Sequence, residues 1–93
     1  MVTKSCKETF VVLNEKGLHT RPSTELVKLA TSFRSQLTLH YQNTSVNAKS
    51  ILDILMLAAT RGAKITVEAV GEDADVAVAS IVELAKRKFH VKY

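Results

Sequence analysis

The sequence predicts an α+β fold, a four-stranded antiparallel sheet covered on one face by three helices in the order βαββαβα. Three observations predict it. Apolar and polar residues alternate with a period of two over residues 36–41 and 64–69, as in half-buried strands. Apolar residues recur at spacings of three and four after Pro22 and again after Asp73, as along one face of a helix. Helical and strand patterns are interspersed, and a tight turn joins the middle two strands, which are therefore antiparallel.

Each element follows in order. Residues 8–13, Glu-Thr-Phe-Val-Val-Leu, are β-branched and aromatic and read as a strand, broken by Asn14-Glu15-Lys16-Gly17. Pro22 suits the first turn of a helix, where its missing amide proton leaves nothing unpaired, and Leu26, Leu29, Ala30 and Phe33 form that helix's apolar face. Leu37, Leu39 and Tyr41 alternate with Gln36, Thr38 and His40. Gln42-Asn43-Thr44 then turns the chain into a short strand over 45–48. Ser50 opens an apolar helix, with Ile54 and Ala58 expected in the core and Gly62 just past the end. Ile65, Val67 and Ala69 make the fourth strand, closed by Gly71. Asp73 is placed to cap a last helix that buries Ala77, Ile81, Leu84 and Ala85. Residues 86–93 are basic and either extend that helix or fray.

The chain has 93 residues, read as one domain spanning 1–93. A core this small leaves no room for a deep, layered active site, so any chemistry belongs on the surface, with a partner. The net charge of +4 and pI of about 9.4 suit an acidic protein or a phosphate-bearing ligand. Nucleic acid is not expected, because the stacking aromatics of a sheet-face RNA binder are missing. The single cysteine, Cys6, excludes an internal disulfide and a cysteine zinc site and fits a reducing, cytoplasmic setting. No leader-like or membrane-spanning apolar run is visible. His19, His40 and His90 are too scattered for a metal site, and nothing calls for a cofactor. A monomer is expected.

The chemistry concentrates in Gly17-Leu18-His19-Thr20-Arg21-Pro22, between the first strand and the first helix. A helix start presents unpaired amides and partial positive charge, and so receives phosphate readily. His19 falls where a cap residue would sit, and a neutral imidazole there is a nucleophile. The amides of Thr20 and Arg21 can cradle phosphate oxygens, and the Arg21 guanidinium offers a planar cationic fork. Gly17 lets the backbone turn sharply before the site. Ser50 with Asp53 three residues on resembles a capping box, a complete structural role in itself.

Gly-Leu-His-Thr-Arg-Pro resembles the phosphorylation-site motif of the HPr family, phosphocarriers of the bacterial phosphoenolpyruvate-dependent sugar phosphotransferase system. Val46-Asn47-Ala48-Lys49-Ser50-Ile51-Leu52 resembles the family's regulatory-serine motif. Arg61-Gly62-Ala63-Lys64-Ile65-Thr66-Val67 with Gly71-Glu72-Asp73 resembles its fourth strand and the following turn. The resemblance implies an open-faced β-sandwich. It implies His19 as acceptor through Nδ1, Arg21 as its phosphate-stabilising neighbour, phospho-enzyme I as donor and a histidine of an enzyme IIA as recipient. It implies a stoichiometric carrier rather than an enzyme. Ser50 becomes a target for a serine kinase and phosphorylase, and a regulatory paralogue acting as a phosphorylation-controlled binding module is the alternative function. The helix from Ser50 is too apolar to bury every side, so some of Ile51, Leu52 and Leu55 are expected to stay exposed, and the resemblance implies these three as the partner-facing set. Lys16, Lys28 and Lys49 form the expected basic rim. Two departures from the family pattern stand out. Lys16 occupies a place that often holds a small polar residue, and Ser23 replaces a common alanine, a change expected to be mild.

Overall fold

The structure, a computed structural model, describes residues 4–93; residues 1–3, part of the stretch read above for a leader, lie outside the described residues. Its elements are β1 (Ser5–Val11), α1 (Thr20–Ala30), β2 (Gln36–Tyr41), β3 (Thr44–Asn47), α2 (Ile51–Met56), β4 (Lys64–Val70) and α3 (Ala74–Lys86), in the predicted order. The strands form one sheet in spatial order β1-β4-β2-β3, and every neighbouring pair is antiparallel.

Register decides which side chains share a face. Ile65 lies opposite Phe10, Val67 opposite Leu39 and Ala69 opposite Leu37. Directly opposed residues point the same way, so these six form one apolar face, and all are buried beneath the helices. The opposite face is open and polar. There Thr9 Oγ1 meets Thr66 Oγ1 at 3.1 Å, and His40 lies between Ser45 Oγ (2.7 Å) and Glu68 Oε1 (2.8 Å). His40, read as a polar-face residue, is on that face.

Several boundaries differ from expectation. The first strand runs Ser5–Val11 rather than 8–13. As an edge strand bonded only to β4, it tolerates exposed Ser5, Lys7, Glu8 and Thr9, which blurs its hydrophobic pattern. The first helix stops at Ala30, leaving Phe33 in the following loop, still packed against the core. The second helix stops at Met56, well short of Gly62, because Ala58 adopts a left-handed φ of 50° and turns the chain. Ile54 is fully buried as expected, but that turn leaves Ala58 exposed. Ser50 does cap α2, accepting a bond from the Asp53 amide at 3.3 Å. The reciprocal half of the capping box is absent, because the Asp53 carboxylate accepts from the Asn47 amide instead (3.1 Å).

Asp73 makes no capping bond to α3. Its carboxylate turns to the loop before β2, where it accepts from the Arg34 amide and the Ser35 amide, both at 2.9 Å, and from Ser35 Oγ. The Ser35 hydroxyl, then the loop amides, hold its pKa down at about 2.

The tail neither extends α3 nor frays. Lys88, Phe89 and His90 are all left-handed (φ 56°, 54° and 60°) and reverse the chain. Phe89 is thereby fully buried, edge-on to Phe10 with centroids 6.0 Å apart. The fully buried Asn14 donates from Nδ2 to the carbonyls of Lys88 (2.9 Å) and Tyr93 (3.1 Å), which returns the end of the tail to the loop preceding α1.

Candidate functional site

His19 is the N-cap of α1, exposed, with extended backbone (φ −74°, ψ −175°) and no side-chain capping bond. The loop that brings it there is stapled by short local bonds. The Gly17 amide donates to the Asn14 carbonyl (2.9 Å), and the Leu18 amide to the Ala59 carbonyl (3.0 Å). Buried Ser23 donates from Oγ to the Leu18 carbonyl at 3.1 Å, while its amide makes the first helical bond, to His19 (3.0 Å). Ser23 is thus part of the scaffold, a role that substitution for alanine did not suggest. Its position in a first helical turn was the available signal, since serine there readily bonds back to the entering chain.

With that first bond falling on Ser23 and Pro22 carrying no proton, the amides of Thr20 and Arg21 have no protein acceptor among the described residues. The helix start is therefore open to an anion, as its sequence predicts.

Two shallow cavities meet at His19. One, of about 280 Å³, is walled by Lys16, Leu18, Thr20 and, from the end of α2 onward, Leu55, Ala58, Ala59 and Thr60. The other, of about 190 Å³, is walled by Lys16, Thr20, Arg21, Pro22 and Tyr93. The hexapeptide, Lys16 and Leu55 are thus gathered around one histidine. Lys28 is not among them. It lies in the last turn of α1, roughly 13 Å along the helix axis from the cap, with Glu25 Oε2 at 3.5 Å. Lys49 directs its ammonium to the Phe33 carbonyl (2.8 Å), away from both cavities. Ser50 is half-buried at the head of α2. Along that helix Ile51 and Leu55 are half-buried and Leu52 is 70% exposed, while Met56, which the sequence reading passed over, is 79% exposed.

Tyr93 was also missed. Its hydroxyl accepts from Arg21 Nη1 at 3.2 Å, and Lys16 Nζ lies 5.1 Å from its ring centroid. Beyond Arg21, a third cavity of about 270 Å³ contains Thr24, Glu25, His90 and Val91. There His90 Nδ1 stands 3.4 Å from Glu25 Oε1, and that contact, ahead of Lys28, lowers the Glu25 pKa. Among the described residues no group of three or more His, Cys, Asp or Glu could hold a metal ion, and no helix is long and apolar enough to cross a membrane.

An open-faced sandwich with an exposed histidine at the start of its first helix defines a class of small phosphocarrier. The comparisons agree. Residues 6–87 match the family described as the PTS HPr component phosphorylation site. HPr-C-His from Thermoanaerobacter tengcongensis superposes with a TM-score of 0.89 at 34% identity, over 95% of this chain and 99% of that one. A Mycoplasma histidine-containing phosphocarrier protein gives 0.85 at 31% identity, over 95% and 100%. Crh, a Bacillus subtilis catabolite repression protein whose structure is a swapped dimer, gives 0.73 at 32% identity, over 81% and 86%. The chain belongs to the HPr family of phosphotransferase-system phosphocarriers.

Proposed function

We propose that His19 accepts a phosphoryl group from phospho-enzyme I and passes it to a histidine of an enzyme IIA of the sugar phosphotransferase system. What supports this reading is the exposed imidazole at the start of α1, beside two acceptor-free amides and the Arg21 guanidinium. As the bond from phosphorus to enzyme I breaks, a bond to His19 Nδ1 forms. The Thr20 and Arg21 amides and the Arg21 side chain then meet the charge on the phosphoryl oxygens. The chain is a stoichiometric carrier, with transfer completed by groups on its partners.

Leu52 and Met56, with Ile51 and Leu55 half-exposed beside them, form the apolar docking patch next to the His19 cavity. Lys16 shares a cavity with Leu55 of this patch, and Lys28 and Lys49 complete the proposed basic rim. In this reading residues 1–93 act as one cytoplasmic, monomeric domain without nucleic acid or membrane insertion.

The test is intact-mass spectrometry after incubation with phosphoenolpyruvate and enzyme I. One acid-labile phosphate is expected on the wild type and none on His19→Ala. A phosphate retained by a folded His19→Ala chain would sink the proposal. Spectra under native conditions report the oligomeric state at the same time.

A second reading makes the chain a regulatory module switched at Ser50. Its support is the place of Ser50 at the head of the docking helix, together with the likeness to Crh. A phosphate there adds about two negative charges beside Asp53 on the docking face and repels an acidic partner. Ser50→Asp should slow phosphoryl acceptance from enzyme I. Unchanged acceptance, or failure of a serine kinase and ATP to modify Ser50, counts against it.

A further inference from the structure

The folded-back tail carries to the His19 cavity a side chain that lies outside the hexapeptide. Tyr93 touches both cations there, accepting a hydrogen bond from Arg21 through its hydroxyl and facing Lys16 with its ring. Asn14 anchors the root of this arm at the Tyr93 carbonyl, and buried Phe89 holds the tail before it. The arm is therefore fixed at its base, while its tip rests on two exposed cationic side chains.

The phenol is a neutral acceptor. A phosphoryl group is charged, offers three acceptor oxygens, and forms hydrogen bonds with arginine roughly twice as strong as those between neutral groups. A phosphoryl group on His19 would stand at the rim of the cavity that Arg21 and Tyr93 share, and would be the stronger acceptor for the same guanidinium. We propose that Tyr93 is a positioning residue, holding Arg21 at the rim in the uncharged protein and releasing it to the phosphoryl oxygens once His19 carries the group. Lys16, against the ring face, keeps the arm in place through the exchange. This handover rests on the reading of His19 as acceptor.

The experiment follows the Arg21 side-chain Nε–Hε resonance by NMR, assigned with Arg21→Lys. It compares the full wild-type chain with Tyr93→Phe, which keeps the ring, before and after charging by phosphoenolpyruvate and enzyme I. Before charging, Tyr93→Phe is expected to shift the Arg21 resonance. After charging, the two chains are expected to coincide, because Arg21 has left the phenol in the wild type. An Arg21 signal unaffected by Tyr93→Phe before charging overturns the proposal, as does a difference that survives charging undiminished. If neither chain gains phosphate from an enzyme I that charges its own carrier, the acceptor reading falls and the handover with it. The shift between uncharged chains then still reports the Arg21–Tyr93 bond.

Discussion

Gly17 has a φ of +69°, and a Cβ there would strike the Ala59 carbonyl oxygen and come within 2.9 Å of Thr60 Cα. Both the left-handed backbone and the close approach require glycine. Gly17→Ala is expected to destabilise the fold by at least about 1–2 kcal/mol, the left-handed penalty of an L-residue alone, and to displace the loop that carries His19. Urea denaturation checks it, and a midpoint equal to wild type would show that the loop adapts. The sequence makes Gly17 legible as a turn but not as a contact, because Ala59 and Thr60 arrive from beyond α2. The placing of His19 and Arg21 together at one open helix start was legible for the opposite reason, since that start is built from adjacent residues. Tyr93 was not, because only the tail's reversal brings it there.

Among the elements, the loop before β2 is tied to the start of α3 by the three hydrogen bonds of the Asp73 carboxylate, with an exposed Arg34–Glu72 ion pair (3.7 Å) beside them. Its pKa of about 2 lies below its ordinary 3.8, so folding favours the ionised form. The corresponding stabilisation is complete above the ordinary value and drains away as pH falls from about 4 towards 2. Asp73→Asn should therefore narrow its stability gap to wild type across that window, as urea midpoints measured down the pH series would show. A gap constant with pH would mean that the ionised form is not what the loop holds. Glu25 is lowered too, but it is present in both chains and cancels in the comparison. Element order was legible here because alternation and helical spacing survive in the buried residues. Element ends were less so. Asp73 looks like a cap from its position before an apolar helix, and only the arrival of Ser35, across the sheet connection, shows where its oxygens are used.

Across the whole molecule, the tail opposes strain with burial. Three consecutive left-handed residues cost about 1–2 kcal/mol each, and the turn that they form places Phe89 wholly inside, against Phe10. Phe89→Ala is expected to lose about 3–5 kcal/mol and to loosen the return of Tyr93 to the His19 cavity. Thermal denaturation measures the first effect. Proton exchange at the amides of residues 91–93 measures the second, and unchanged exchange would show that Asn14 alone secures the arm. The composition of 86–93 suggests a helix extension or a fraying end because its lysines and His90 dominate the average, whereas Phe89, Val91 and Tyr93 decide its path. That path has a practical side. Any polypeptide continuing from Tyr93, whether a purification tag, a fluorescent fusion or a tether to another domain, begins at the rim of the His19 cavity. In the proposed carrier role it would compete with enzyme I for that space, so labels for binding or transfer assays are best kept away from Tyr93.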